Sequence, residues 1–259
     1  MQSSIALVRT PAVHYVLRLA DTCLIHSQRL AEWCGHAPVL EEDIALANMA
    51  LDLLGQARAL LTRAGQLEGA TPHDEDQLAF LRDERDYFNV TLVELPRGDF
   101  AFTVLRNAIV STWLEALWTR FVASSGDAEL AAIAGKAVKE ARYHRRHAAD
   151  WVVRLADGTD ESRRRTEAAL ARLWPYTAEL FDADAVDAAA QASGLGPAWS
   201  ELRDGWQADM AELLREAGLA VPRATGFLST GRRGVHSEHM GFLLAEMQSL
   251  QRAFPGGVW

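Results

Sequence analysis

The sequence predicts an all-α fold in which an antiparallel four-helix bundle carries further helices toward the C-terminus. Apolar residues recur at helical spacing along almost the whole chain. Sustained alternation and Asn-Gly hairpins, the marks of β-strands, are nearly absent. The four longest early helical segments come as two pairs joined by short turns, which is typical of antiparallel neighbours. No linker divides the chain, so we expect a single domain over residues 1–259.

The first helix pair is predicted over residues 13–33 and 41–67. The earlier segment is amphipathic and stops at Gly35, where the turn HAP follows. The later segment is rich in Ala and Leu and ends near Gly69. Both patterns indicate helices that bury one face in a common core.

The second pair is predicted over residues 100–123 and 128–156. Asp99 and Asp127 stand directly before these segments, where an Asp side chain can accept hydrogen bonds from the first free N–H groups of a helix. Two short helices, the second over residues 88–95, are expected between the two pairs.

The last hundred residues are expected to add four helices around the bundle. Pro175 lies inside the first of these and is expected to kink it. The segment VPRATGFLSTGRRG, residues 221–234, is the longest stretch with the composition of a loop. The predicted helices cover residues 161–181, 182–192, 197–217 and 236–253.

Composition excludes several classes of partner. The formal net charge of −9 disfavours nucleic acid, because duplex binding needs a broad cationic surface. We find no signal peptide and no uninterrupted apolar run of about 18 residues, so we expect no membrane and a cytoplasmic location. Cys23 and Cys34 lie about 16 Å apart along the predicted helix, too far for a disulfide. They are expected to be buried thiols.

The histidines decide whether the bundle can hold a di-iron centre. Such a centre needs one Glu from each of two helices and a Glu-x-x-His motif from each of the other two. No histidine in this chain follows a Glu or an Asp by three positions. The pairs Glu32/His36 and Glu140/His144 have the spacing i, i+4, which is typical of surface ion pairs on a helix.

A polar cluster is predicted on the fourth long helix, formed by Lys136, Glu140, His144 and His147. The last three lie within about 60° on a helical wheel. They can bind one cation such as Zn²⁺, but zinc sites usually draw ligands from several elements, so an ion-paired cluster is favoured. Asp52 stands in an apolar stretch and is expected to meet a cation from a neighbouring helix.

Five segments resemble the C-subunit (PaaC) family of ring-1,2-phenylacetyl-CoA epoxidases, in the same order and spacing over nearly the whole chain. The stretches EWCGHAP and GVHSEHMGFLLAEMQSLQR are the most specific. The segments are residues 19–58, 80–89, 139–162, 173–182 and 234–256. The resemblance implies a ferritin-like fold and a structural subunit in phenylacetate catabolism.

The resemblance also implies partners and cofactors. A homologous A subunit would carry the di-iron centre, and this chain would pair with it without a cofactor of its own. A small bridging subunit and a reductase that uses NADPH with flavin and iron–sulfur groups would complete the complex. That complex would epoxidise the aromatic ring of phenylacetyl-CoA with O₂.

The resemblance places these residues of the chain at the ligand positions of the catalytic relative: Glu32, Asp52, Gly55, Ser111 or Glu115, Ala141 and His144. At Gly55 the imidazole is missing, and at Ala141 the carboxylate is missing. We therefore expect no metal, and we expect Glu32, Asp52 and His144 to converge in a metal-free polar network.

The segment of residues 225–239 is the remaining candidate site. Glycines, Arg232 and Arg233 precede a helix N-terminus that also carries His236 and His239, which together form a surface suited to anions. Coenzyme A phosphates or an acidic patch of a partner would be the ligand, and a solvated hinge is the alternative. For the whole chain, the alternatives are a metalloenzyme that uses its own histidine and carboxylate cluster and a helical binding module unrelated to oxygen chemistry.

Overall fold

Ten α-helices build the part of the protein that the computed structural model describes, residues 3–257. The same residues contain no strand, only an isolated bridge between Thr230 and Val235. The all-α, ferritin-like prediction is confirmed. The helices are α1 (Pro11–Ala31), α2 (Leu40–Leu67), α3 (Glu75–Phe80), α4 (Thr91–Glu94), α5 (Phe100–Ser124), α6 (Ala128–Asp157), α7 (Asp160–Leu173), α8 (Ala185–Ala192), α9 (Arg203–Glu216) and α10 (Glu238–Ala253).

The long helices α1, α2, α5 and α6 form the bundle. Helix α1 packs along α2, α5 packs along α6, and α2 contacts α6. The inner face of α2 shows why it takes this position, since Leu46, Leu53 and Leu60 recur every seven residues and are almost fully buried. Burying one such leucine contributes about 2 kcal/mol.

Side chains before the helices determine where they begin. Asp99 accepts a hydrogen bond from Phe102 N, and Asp127 accepts from Leu130 N, so both predicted caps are present. Thr10 caps α1 in the same way, with Pro11 at the first helical position. These contacts satisfy N–H groups that have no partner inside the helix.

The later helices differ most from the predictions. The predicted helix over residues 161–181 ends at Leu173 and continues as a 3-10 helix, Trp174–Phe181. Pro175 has no N–H to donate to the preceding turn, which explains the change. The predicted helix over residues 197–217 likewise begins as a 3-10 turn, Trp199–Leu202, before α9.

The two cysteines differ in exposure. Cys23 is buried in α1, and burial raises the pKa of its thiol. Cys34 is exposed, so the prediction of two buried thiols is wrong for this residue. Helix α1 ends at Ala31, and Cys34 therefore lies in the turn that follows.

Helix α2 alone among the described helices is long and apolar enough, by length and composition, to cross a membrane. This is weak evidence for a membrane, because core helices of globular proteins pass the same test. The leucines of its inner face are buried against α1 and α6, and Asp52 bonds to α6 in the middle of the helix.

Candidate functional site

The interior of the bundle, where four-helix bundles can hold metal ions, contains a small set of polar side chains. On α1 these are Cys23 and His26, and on α5 the buried amide is Asn107. Helix α2 contributes Gln56, and α6 contributes His144. Each of these groups must find a hydrogen bond inside the protein because burial removes it from water.

Polar residues of α6 pair one by one with residues of α2. The Asp52 carboxylate lies 3.0 Å from His144 Nε2. Gln56 Nε2 donates to Glu140 at 2.9 Å, one turn away. Two antiparallel helices that each carry polar groups at helical spacing can form such separate bonds across their contact.

The polar cluster predicted on α6 is therefore divided among different partners. His147 Nε2 lies 2.8 Å from the Glu42 carboxylate, and exposed Lys136 lies 3.3 Å from Glu140. Burial lowers the pKa of His144, and the hydrogen bond with Asp52 opposes this shift.

His26 forms the polar contact between α1 and α5. Its Nε2 lies 3.2 Å from Asn107 Oδ1, while the Asn107 amide donates to Met49 Sδ at 3.3 Å. Because the amide oxygen can only accept, Nε2 carries the proton. Burial and the nearby Arg106 guanidinium lower the pKa of His26 to about 3, so the ring is neutral at physiological pH.

Glu32 does not join this interior network. It is the C-cap residue of α1 and forms an ion pair with Arg29, three positions earlier. Its backbone oxygen accepts from Arg97 at 2.7 Å. The predicted convergence of Glu32 with Asp52 and His144 is wrong for Glu32, because the helix ends before this residue and turns its side chain toward Arg29.

On α2, Gly55 does not lie in the interior of the bundle. Gly55 is exposed, and a Cβ atom there would meet no atom within 4 Å. The side chains of Leu53 and Gln56, on either side of this position, are buried. Asp52 is half-buried at the edge of the helix contact, where it reaches His144.

On α5, the two candidate ligand positions are Ser111 and Glu115, and their side chains do not face a common site. Ser111 is buried, and its hydroxyl donates to the Asn107 backbone oxygen of its own helix at 2.5 Å. Glu115 binds Arg142 at 2.9 Å and Arg145 at 3.2 Å, on the outer side of the bundle. Ala141 is buried on α6 and offers no ligand atom.

These donors do not fit a di-iron centre. Within residues 3–257, no group of three or more His, Cys, Asp or Glu side chains is placed to hold a metal ion. Sequence reasoning missed His26, Gln56 and Asn107, although a polar residue inside an apolar helix face signals a buried hydrogen bond. Their hydrogen-bond partners lie on other helices, so the sequence of one helix does not identify them.

The candidate anion segment contains one arginine that is not at the surface. Arg232 is 2 % exposed and binds both oxygens of Asp187, at 2.7 and 2.8 Å. Its guanidinium lies 3.9 Å from the centroid of the Trp199 ring. Arg18 donates to the Arg232 backbone oxygen at 3.1 Å. The predicted role of Arg232 as a surface contact is wrong, because Asp187 holds it inside the protein.

The other members of the segment divide between surface and interior. Arg233 is exposed and pairs with Asp182, and it lines a surface hollow of about 530 Å³. His239 is partly exposed and lies 3.9 Å from Glu238. His236, in contrast, has a fully buried side chain.

His236 forms a buried ion pair. Its Nδ1 lies 2.7 Å from Glu94 Oε2, and its Nε2 lies 2.9 Å from the Tyr87 backbone oxygen. Both partners are acceptors, so both ring nitrogens carry protons. Burial opposes the charged form, but the hydrogen bond and the charge of Glu94, the Tyr87 backbone oxygen and the charge of Asp21 together outweigh it and raise the pKa of His236. The segment is thereby fixed to α4 and to the residues just before it, and is not a solvated hinge.

Two comparisons with known proteins bear on this arrangement. The family model of phenylacetic acid catabolic proteins, PaaA_PaaC, matches residues 2–259. The chain is also 51 % identical, over 245 residues, to the C subunit of 1,2-phenylacetyl-CoA epoxidase from Escherichia coli K12. That alignment covers 95 % of this chain and 98 % of the relative.

Proposed function

Because the chain belongs to the PaaA_PaaC family of phenylacetic acid catabolic proteins, we propose that it is the non-catalytic structural subunit of a multicomponent phenylacetyl-CoA 1,2-epoxidase. The relative from E. coli is named as the C subunit of that enzyme, and the similarity spans nearly both chains. The arrangement of polar side chains inside the bundle supports the non-catalytic role. Its carboxylates and imidazoles are used in separate contacts, and no three His, Cys, Asp or Glu side chains of the described residues are placed to hold a metal ion together.

The chain's own residues therefore support the bundle and do not support oxygen chemistry. Asp52 and His144 join α2 to α6, and His26 and Asn107 join α1 to α5. These bonds occupy the groups that would otherwise act as ligands. The role that remains for the chain is to present a rigid helical surface to other subunits.

The partners proposed for this surface are those implied by the resemblance. A homologous A subunit carries the di-iron centre, a small bridging protein joins the assembly, and a reductase with NADPH, flavin and iron–sulfur groups supplies electrons. We propose no cofactor for this chain itself and a cytoplasmic location for the complex.

The metalloenzyme alternative is less favoured by the geometry. Glu140, His144 and His147 lie on one side of α6, as a single-cation site requires, but each points to a different residue of α2. A cation would have to break at least two of these bonds to gather the three side chains.

Co-expression with the A subunit of the same organism tests the proposed function. We expect the two chains to co-purify, iron to be present only when the A subunit is present, and turnover of phenylacetyl-CoA with reductant and O₂ to need both. Metal analysis of the isolated chain provides the control. Two irons per isolated chain, or turnover by this chain without the A subunit, would refute the proposal.

A further inference from the structure

We propose that the buried Arg106 guanidinium, beside the turn that precedes α5, binds a small planar anion of the carboxylate class, such as formate or bicarbonate. Arg106 Nε and Nη2 each donate a hydrogen bond to one of two oxygens of this anion. The inference concerns the interior of this chain alone and does not rest on the proposed function.

Arg106 is fully buried but uses only part of its hydrogen-bonding capacity. Its side chain belongs to α5 and is 0 % exposed. Nη1 donates to the backbone oxygens of Leu95 and Pro96, at 2.6 and 3.2 Å. Nε and Nη2, which share another edge of the planar guanidinium, have no hydrogen-bond partner among residues 3–257. Two parallel N–H groups on one edge are the geometry with which an arginine binds both oxygens of a carboxylate.

The positive charge of Arg106 has no counter-charge of its own. None of its nitrogens bonds to a carboxylate. Burial and the charge of Arg29 lower the pKa of Arg106 to about 9, so the guanidinium is still protonated at neutral pH. The Glu32 carboxylate opposes this shift, but it forms an ion pair with Arg29. A buried cation without a counter-charge destabilises the folded state, and a bound anion removes this penalty.

Cations outnumber available carboxylates around this guanidinium. Arg29 is 8 % exposed, and Arg97 is half-buried and donates to the Glu32 backbone oxygen at 2.7 Å. Glu94, at the end of α4, has a carboxylate that His236 already binds at 2.7 Å. The arginines of this region therefore share the single carboxylate of Glu32, and the remaining positive charge attracts an anion from solution.

The chemistry of the ligand follows from the shape and the burial of the donor pair. A planar anion with two oxygens bonds to Nε and Nη2 at the same time, whereas chloride offers a single centre. Close packing of the interior restricts the ligand to a few atoms. A water molecule can accept the same hydrogen bonds, but it leaves the charge of Arg106 uncompensated, so an anion is favoured.

Thermal melting of the full chain in increasing sodium formate tests the site. Sodium gluconate, whose bulk excludes it from the interior, keeps the ionic strength constant. We expect each tenfold increase in formate above its Kd to raise the melting temperature of the wild type by about 3 °C or more. Arg106→Met should remove this response. The matched control is Arg120→Met, which changes an exposed arginine on the same helix and should keep the wild-type response.

Ion chromatography tests for an anion that stays bound during purification. Desalted protein is unfolded by heat, and the released anions are identified and counted. We expect about one equivalent of a carboxylate or bicarbonate from wild-type chains if the anion does not exchange, and none from Arg106→Met.

Arg106→Lys keeps the inference testable if Arg106→Met does not fold. Lysine retains the charge but lacks the planar pair of N–H groups, so the Kd for formate should rise at least about tenfold. The site is overturned if wild-type chains neither release an anion nor respond to formate, which is the result expected for a buried water. An equal formate response in the wild type and in Arg106→Met or Arg106→Lys, or its loss in Arg120→Met, also overturns it.

Discussion

Several charged residues that are buried in this protein form ion pairs with each other in the interior. Arg82 pairs with Asp21, His236 with Glu94, and Arg232 with Asp187, and all six side chains are almost inaccessible to water. A buried charge without a partner would cost several kcal/mol, so each pair specifies which segments of the chain must meet.

The pair of Asp187 and Arg232 is expected to contribute strongly to stability. Asp187→Asn removes the carboxylate whose two oxygens both bind Arg232. One of these oxygens also lies 3.4 Å from the Arg18 guanidinium. We expect a loss of about 3–5 kcal/mol, because a buried guanidinium is left uncompensated. Urea unfolding of the isolated chain measures this change.

Asp182→Asn is the matched control, since this carboxylate binds the exposed Arg233. It should cost less than about 1 kcal/mol. Equal losses for the two variants would contradict the assignment of Asp187 as the buried partner.

His236 should make stability depend on pH. Its pKa is raised in the folded protein, where it faces Glu94 and more distantly Asp21. The stabilisation is therefore fully present below the unfolded value of 6.5 and is lost as the pH rises through the folded value. The difference in melting temperature between wild type and His236→Gln should be largest near pH 6 and should shrink as the pH is raised.

His239→Gln changes a partly exposed histidine three residues later and serves as the control for the pH series. Its melting temperature should follow that of the wild type at every pH. A difference for His236→Gln that grows toward alkaline pH would show that the ring is not charged in the folded state.

At the scale of elements, the position of the loop before α10 depends on close packing of backbone. A Cβ atom at Gly231 would lie 2.5 Å from the Asn89 backbone oxygen and 2.8 Å from Thr91 Oγ1. Gly231 N also donates to that hydroxyl at 3.1 Å. The loop is thus held against the residues that precede α4, which a sequence pattern of glycines and arginines does not reveal.

Gly231→Ala should therefore destabilise the protein by about 1–3 kcal/mol, since backbone and not a flexible side chain must move. Thermal melting of the isolated chain measures the effect. Gly226→Ala, in the same loop, meets no atom within 4 Å and should change stability by less than about 1 kcal/mol. A similar loss at both positions would mean that Gly231 does not approach the Asn89 backbone.

Helix boundaries were predictable where a local signal sets them. Asp99 and Asp127 begin α5 and α6 as the sequence predicts, because capping depends on residues within one turn. The last helix begins at Glu238 and not at 236, because the Ser237 hydroxyl caps it by accepting a hydrogen bond from His239 N. His236, just before this cap, binds Glu94, more than a hundred residues away. Local propensity contains no information about such a contact.

At the scale of the whole molecule, α2 carries large apolar residues on two opposite faces. Leu53 is 1 % exposed and Leu51 is 64 % exposed, two residues apart on the same helix. The first belongs to the core of this chain, and the second lies on its surface. The same residue type thus stabilises the fold at one position and is exposed to solvent at the other.

Truncating each leucine separates these effects. Leu53→Ala should cost about 2–5 kcal/mol of unfolding free energy in the isolated chain, because it leaves a cavity in the core. Leu51→Ala should change that free energy by less than about 0.5 kcal/mol. Chemical unfolding of the two variants measures the two changes. The assignment of faces would be wrong if Leu51→Ala unfolded the chain more easily than Leu53→Ala.

The sequence by itself determined the all-α class, the four long helices and the absence of a Glu-x-x-His motif, because helical periodicity, caps and ligand spacing are local properties of the chain. Only the tertiary structure decided that Glu32 faces Arg29, that Gln56 and not Gly55 points inward, and that Arg232 is buried on Asp187. The rotation of a helix about its axis and the partner of a buried charge depend on residues far away in the chain. A shift of one residue turns a helical side chain by about 100°, so the interior becomes known only when all four helices are packed.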